Sequence, residues 1–246
     1  MGTLRILSPM SDLSKRDPPV HPADAGARVP AWRRRTRGEH RWPSILAITA
    51  VIVVQVLLPD RLILHPRWLL PGVEIALAVG LIVANPVRLV RTHRVLRLGS
   101  LGLVAAMTVA NAGSAALLIG RLLGGTAGHD ATSLIGNGAA IYATNIIAFG
   151  LWYWELDRGG PMSRANGEHQ HTDFLFPQMT QPDAAPPDWE PSFLDYLYVS
   201  YTNATAFSPT DTLPLSRWAK MLMMGQSAIA LSTIALVVAR AVNILR

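Results

Sequence analysis

The chain contains no cysteine among its 246 residues. This absence excludes disulfide bonds, thiolate metal sites and cysteine nucleophiles together. Charged residues are also scarce: they make up 15% of the chain, against about 25% in average soluble domains. Hydrophobic residues account for 50% of the sequence. A chain of this composition is predicted to be a membrane protein.

The sequence also lacks the motifs of common catalytic chemistry. It has no glycine-rich phosphate loop with a lysine, no Gly-x-Ser-x-Gly, no His-Glu-x-x-His and no dinucleotide fingerprint. The long apolar runs hold one carboxylate, Glu74, with Glu155 at the end of another run. His169 and His171 form a pair without a third metal ligand at a convincing spacing. We therefore predict no enzyme activity, no catalytic residue, no cofactor and no metal site.

Positive charge is concentrated at the ends of apolar runs. The formal net charge is +6, but the arginines do not form one basic, aromatic-studded face, which argues against nucleic acid as a partner. The densest cluster, within residues 33–41, directly precedes the first apolar run. Such a cluster places the N-terminus in the cytoplasm and attracts anionic lipid at about 1 kcal/mol per basic residue. Residues 1–42 are predicted to be a disordered basic cytosolic tail of a multi-pass protein of the cell membrane.

Four apolar runs predict a four-helix transmembrane region over residues 43–155. These runs are residues 43–59, 68–84, 99–122 and 134–154. The first is slightly short of the roughly 20 residues that a bilayer core requires. A long polar loop over residues 156–191 follows them. Together with the C-terminal part of the chain, the pattern predicts an all-α polytopic membrane protein with about five or six transmembrane helices.

Glu74 is a candidate intramembrane acid, because it lies two turns inside the second apolar run. A carboxylate in a membrane is costly and usually has a function. The alternative is a structural role, in which Glu74 reaches toward the interface and pairs with Arg61 or Arg67. The sequence leaves both alternatives open.

The C-terminal part of the chain begins with a segment that, as a helix, is shorter than the thickness of a bilayer core. Residues 193–207 would extend about 22 Å as a helix, whereas the hydrocarbon core is roughly 30 Å thick. A short re-entrant helix and a further span both remain open. A polar turn follows, with Ser208, Thr210 and Asp211, and residues 215–245 then form a helix long enough to span.

The last predicted helix carries a polar stripe. Gln226, Thr233 and Arg240 stand seven residues apart and therefore share one face. Such a stripe suits either a helix–helix seam or the wall of a lumen.

The order of these C-terminal residues resembles the pore module of tetrameric potassium channels. The resemblance rests on the run Phe-Leu-Asp-Tyr-Leu-Tyr from Phe193, on Thr202-x-x-Thr205, and on Asp211-x-x-Pro214 before a long apolar helix. The layout is also similar to the C-terminal part of a family of uncharacterised bacterial integral membrane proteins. By this resemblance Thr205 corresponds to the threonine of the filter and Asp211 to the acid that follows it.

The resemblance implies a channel-like module of pore helix, turn and inner helix over residues 192–246. Such a module would conduct or bind a small ion, for example a monovalent cation, as a homo-oligomer, and a channel-like assembly would be a tetramer. No glycine lies between Thr205 and Asp211, whereas a potassium filter needs glycines. The alternative function is a non-conducting membrane scaffold or a partner-binding protein. The candidate pore-lining residues are Thr205, Ser208, Thr210, Asp211, Gln226 and Thr233.

Overall fold

The computed structural model describes residues 30–84, 94–126, 130–168, 171–181, 185–205 and 211–245. Within these ranges the chain is mostly helical, which confirms the predicted all-α class. The helices are α1 (Trp42–Leu57), α2 (Leu69–Ala84), α3 (Arg94–Leu123), α4 (Ala131–Leu156), α5 (Pro161–Asn166), α6 (Pro177–Thr180), α7 (Phe193–Thr205) and α8 (Arg217–Leu245). Two short strands, β1 (Phe174–Leu175) and β2 (Leu213–Pro214), form an antiparallel pair.

Helices α1 to α4 pass back and forth between two ends of one bundle. At one end, Arg41 before α1 donates from Nη1 to the carbonyl oxygen of Leu81 in α2, at 2.6 Å. At the same end, Ser100 near the start of α3 donates to Glu155 near the end of α4, at 3.0 Å. We call this the cap end. The opposite end, which holds the 3-10 turn Asp60–Leu62 between α1 and α2, is called the hairpin end.

Helix α4 is the centre of the bundle and packs against α3, α7 and α8. It begins where the Asp130 carboxylate accepts hydrogen bonds from the backbone N–H groups of Thr132 and Ser133, both at 3.1 Å. This N-cap satisfies two of the donors that a helix start leaves free. Toward the other end, Trp152 donates from Nε1 to the hydroxyl of Thr108 in α3, at 2.8 Å. The central position of α4 makes it the support for the elements that follow it.

Residues 30–41 pack against the cap end, although the sequence assigns them to a disordered tail. Trp32 is buried, with 8% of its surface exposed. Glu39 forms an ion pair with Arg164 of α5, at 3.1 Å. Composition alone did not predict that these residues are folded, because their partners lie more than a hundred positions away. The rest of the predicted tail, residues 1–29, lies outside the described residues.

Much of the predicted polar loop, residues 156–191, is also folded onto the cap end. The side chain of Asp157 is fully buried and organises it. Its Oδ1 accepts from the backbone N–H groups of Asp173, at 2.8 Å, and Phe174, at 3.3 Å. Its Oδ2 accepts from the hydroxyl of Tyr196 in α7, at 2.5 Å. The loop is thereby fixed to the start of α7.

Three helical stretches are long and apolar enough to cross a membrane: Arg94–Leu123, Ala131–Asn166 and Arg217–Ile244. Helices α1 and α2 are apolar but have 16 residues each, or about 24 Å. Large apolar side chains are exposed on the outer faces of the bundle, such as Leu57 and Val83, each 76% exposed. A bilayer is the solvent that suits such faces. The chain is therefore a helical membrane protein.

Candidate functional site

Helix α7 begins at the cap end. The backbone N–H of Phe193 donates to Oε2 of Glu39, at 3.1 Å. The Phe193 ring packs edge-on against Trp154 of α4, with 5.9 Å between the ring centroids. From there α7 runs between α4 and α8. Near its other end, Asn203 donates from Nδ2 to the carbonyl oxygen of Met223 in α8, at 2.9 Å.

Where the described chain resumes after α7, it lies at the cap end. Strand β2 pairs there with β1. The backbone N–H of Leu215 donates to the carbonyl oxygen of Asp173, at 2.8 Å, and Trp218 donates from Nε1 to the carboxylate of Asp173, at 2.9 Å. Because Asn203 lies beside Met223, about two turns into α8, α7 ends roughly 10 Å below the start of α8. Both ends of the segment from Phe193 to Leu215 thus lie at one end of the bundle, which is the geometry of a re-entrant helix.

Gln226 of α8 joins the three helices of this module. Its Oε1 accepts from the hydroxyl of Tyr153 in α4, at 2.6 Å, and from Nδ2 of Asn203 in α7, at 2.8 Å. Its Nε2 donates to both the carbonyl oxygen and the hydroxyl of Ser200 in α7, at 2.9 and 2.7 Å. The Gln226 side chain is fully buried. All four bonding positions of its amide are used, so this group fixes the depth of α7 in the bundle.

Two other buried polar groups of the module have incomplete hydrogen bonding. Asn145 of α4 donates from Nδ2 to the carbonyl oxygen of Gln226, at 3.4 Å, but its Oδ1 has no partner among the described residues. The hydroxyl of Thr233 in α8 likewise has none there, although Thr233 is only 1% exposed. The polar stripe of Gln226 and Thr233 therefore lies in a seam between helices of one chain.

Two glycines of α4 allow its neighbours to approach closely. A Cβ atom at Gly150 would lie 3.2 Å from the Cα of Leu197 in α7. A Cβ atom at Gly138 would lie 2.8 Å from a methyl group of Val237 in α8. Both separations are tighter than ordinary carbon contacts. Small residues that let helix backbones approach are typical of membrane interfaces.

Two of the remaining candidate pore-lining residues, Thr205 and Asp211, border the gap in the described chain after α7. Thr205, the last residue of α7, is partly exposed and donates from its hydroxyl to the carbonyl oxygen of Thr202, at 3.1 Å. Asp211 is exposed. Ser208 and Thr210 lie outside the described residues. A lining role for these four residues, and for Gln226 and Thr233 at an inner wall, stays a prediction.

Helix α7 carries polar side chains whose partners could not be predicted from the sequence. Ser200 and Asn203 are three residues apart, so they share one face of the helix. That spacing was the available signal for a contact with another helix. It could not show that the partner is Gln226, because the register between α7 and α8 depends on the contacts that the chain makes at the cap end.

Glu74 lies on α2, away from this module. The interfacial ion pair that the sequence left open does not form in the part of the chain that the structure describes. Arg67 instead pairs with Asp60 and donates from Nη2 to the carbonyl oxygen of Val56, at 2.7 Å. The Glu74 side chain is 0% exposed.

Among the described residues, the other buried charged side chains lie at the cap end. Burial raises the pKa of the Glu39 carboxyl above its ordinary value, and the ion pair with Arg164 opposes this shift only in part. The described residues contain no group of three histidine, aspartate or glutamate side chains that could hold a metal ion. Comparison with protein-family models, with curated proteins and with solved structures finds no match for this chain.

Proposed function

We propose that this chain is a multi-pass protein of the cell membrane whose α4, α7 and α8 form a pore-loop module that binds or conducts small monovalent cations. In this proposal five helices, α1 to α4 and α8, cross the membrane, and α7 re-enters it. The observation that carries the proposal is that the segment from Phe193 to Leu215 enters and leaves the bundle at one end. A re-entrant helix with a polar return is the geometry that places backbone and hydroxyl oxygens at depth in a membrane.

The proposed conducting path lies between copies of the chain. A groove of about 370 Å³ between α4 and α8, bordered by Tyr142, Ile234 and Val238 among others, has an almost entirely apolar lining. A groove of about 230 Å³ between α1 and α2 is lined mainly by aliphatic side chains. These two grooves suit lipid chains. Thr205, which is partly exposed, and Asp211, which is exposed, are available to face a symmetry axis of a homo-oligomer such as a tetramer.

Orientation follows from the distribution of basic residues. The described basic residues near the cap end are Arg33, Arg34, Arg35, Arg37, Arg41, Arg94, Arg97, Arg158, Arg164, Arg217 and Lys220, and those toward the hairpin end are Arg61, Arg67, Arg121 and Arg240. By the positive-inside rule the cap end is cytoplasmic, where its exposed arginines contact anionic lipid. We therefore propose that the pore loop enters from the cytoplasmic side. No potassium selectivity is proposed, since the return has no glycine.

Planar-bilayer recording of the purified protein tests conduction. We expect cation currents from the wild type and a changed conductance in Asp211→Ala, because the exposed carboxylate would attract cations to the entrance. Asp188→Ala is the matched control, since Asp188 is an exposed carboxylate of the loop of residues 156–191, outside the pore-loop module. Absence of current in all three proteins would contradict conduction and favour the alternative of a non-conducting scaffold or partner-binding protein.

Cysteine accessibility tests the re-entrant geometry, and the natural chain needs no cysteine removed. Single cysteines at Asp188 and Leu213 should both react with an impermeant thiol reagent from the cytoplasmic side. A cysteine at Thr126, just after α3, should react only from the opposite side. Labelling of the Asp188 and Leu213 positions from opposite sides would mean that α7 spans the membrane, and the proposal would be wrong.

A further inference from the structure

Glu74 is buried by the protein itself and not by lipid. Its side chain is 0% exposed among the helices of the bundle. Neither carboxyl oxygen has a hydrogen-bond partner among the described residues. The Gln55 side chain of α1 is the polar group beside it, and Gln55 is itself buried, with its amide oxygen and nitrogen also unpaired there. The two side chains are thus close enough to interact, although their present placement does not complete a hydrogen bond.

Among the residues that the structure describes, the elements packed against this site offer no counter-charge to the carboxyl. Helix α1 has no charged residue, and α2 has none besides Glu74. Helix α3 carries charge only near its ends, at Arg94, Arg97 and Arg121. Of these, Arg94 and Arg97 lie at the cap end, and Arg121 donates from Nε to the carbonyl oxygen of Arg61.

The turn between α1 and α2 holds the remaining titratable groups on this side of the bundle. Asp60 and Arg67 pair with each other, and Arg61 and His65 are exposed. The apolar residues of the turn pack inward, with Leu62 only 1% exposed. The turn therefore covers its end of the hairpin and supplies no ion pair to Glu74.

An ionised carboxylate in such a place would lose its hydration without a compensating partner in the described part of the chain, at a cost of many kcal/mol. A proton removes that cost. A protonated carboxyl has one donor and one acceptor, and a primary amide has the complementary pair, so the two groups can close a ring of two hydrogen bonds. An ionised carboxylate can only accept, and would leave the amide oxygen of Gln55 facing a like partial charge.

We propose that Glu74 and Gln55 form a proton-binding site within the membrane, in which Glu74 holds a proton at neutral pH and Gln55 receives it as a hydrogen bond. The site is separate from the pore-loop module, and neither the presence nor the absence of ion currents bears on it. Its occupant is a proton and not a metal cation, because one carboxyl and one amide give too few oxygen ligands to replace the hydration of a metal cation.

Modification by dicyclohexylcarbodiimide, an apolar reagent for protonated carboxyl groups, tests the proposal. We expect mass spectrometry to find the adduct on the peptide that contains Glu74 at neutral pH, and to find it lost in Glu74→Gln. The exposed Asp188 should carry no adduct in the same sample. Labelling should be equal in sodium chloride and in choline chloride. Protection by sodium alone would assign the site to a metal cation and overturn the proposal.

Infrared difference spectroscopy provides a readout that does not depend on reagent access. Subtracting the spectrum of Glu74→Gln from that of the wild type at neutral pH should give the carbonyl-stretch band of a protonated carboxylic acid. Gln55→Leu, which keeps a similar volume but removes the amide, should retain the band and shift it, because the carboxyl loses its hydrogen-bond partner. A carboxylate band in place of the acid band in the wild type would overturn the proposal.

Discussion

The hydroxyl of Tyr153 on α4 donates a hydrogen bond to the side-chain oxygen of Gln226 on α8, with 2.6 Å between the two oxygens. Both side chains are 0% exposed. The same oxygen of Gln226 also accepts from Asn203 of α7. One amide thus links α4, α7 and α8 at the same depth in the bundle.

Replacing Gln226 by Leu should destabilise the protein by about 3 kcal/mol, because several buried donors and acceptors lose their partner at once. Thermal unfolding in detergent, followed by tryptophan fluorescence, measures the change. The matched control is Thr233→Val on the same helix: its hydroxyl is buried without a partner among the described residues, so its loss should be neutral or stabilising. Equal destabilisation by the two variants would contradict the assignment of Gln226 as the link.

Replacing Gly150 by Ala should push α7 away from α4, because the new methyl group would lie 3.2 Å from the backbone of Leu197. The expected cost is about 1–3 kcal/mol, as for an overpacked core. Gly136→Ala is the control on the same helix, since a Cβ atom there meets nothing within 4 Å; it should gain up to about 1 kcal/mol from helix propensity. Thermal midpoints of the two variants that shift in the same direction would contradict this prediction.

Replacing Asp157 by Ala should release the loop from the start of α7. Two backbone N–H groups and the Tyr196 hydroxyl lose their acceptor, and the guanidinium of Arg158 loses its buried partner. We expect a cost of about 3 kcal/mol and faster cleavage within residues 171–181 in limited proteolysis. Asp188→Ala, an exposed residue of the same loop, should leave the cleavage rate unchanged. Equal rates for the wild type and Asp157→Ala would rule out this role.

The buried Glu39 should make stability depend on pH. Burial raises its pKa from the ordinary value of 4.5, so the folded state holds this proton more tightly than the unfolded state. The resulting stabilisation is complete below pH 4.5 and is lost as the pH rises through the raised pKa. In Glu39→Gln this part of the slope should disappear. Thermal midpoints measured against pH for both proteins check this, and parallel curves would contradict it.

Several features followed from the sequence because they depend on local pattern. The apolar runs predicted α1 to α4 and α8 to within a few residues, since the length of a membrane helix is set by bilayer thickness. The length of residues 193–207 fell short of a bilayer core, and the sequence left a re-entrant helix and a further span both open. The sequence also singled out Glu74 and Gln226, because a polar group inside an apolar run is conspicuous without any tertiary information.

Other features depended on contacts between distant parts of the chain. Composition placed residues 30–41 in a disordered tail, yet Trp32 is buried and Glu39 meets Arg164. No local pattern in the sequence shows these contacts, because they form only when the loop of residues 156–191 folds over the cap end. The neighbours of Glu74 could not be predicted from the sequence either. The sequence allowed an ion pair between Glu74 and Arg67, but in the structure Arg67 pairs with Asp60.

The sequence by itself therefore determined a helical membrane protein with basic flanks and one segment shorter than a bilayer core, because helix length and the position of charges can be read directly from the order of residues. Only the tertiary structure decided that α7 starts at the cap end and that the chain is at the cap end again in strand β2. That decision rests on β2 pairing with β1 and on Asp173 holding Leu215 and Trp218. Such contacts join residues about forty positions apart, and their register is set by packing and hydrogen bonding in the folded chain.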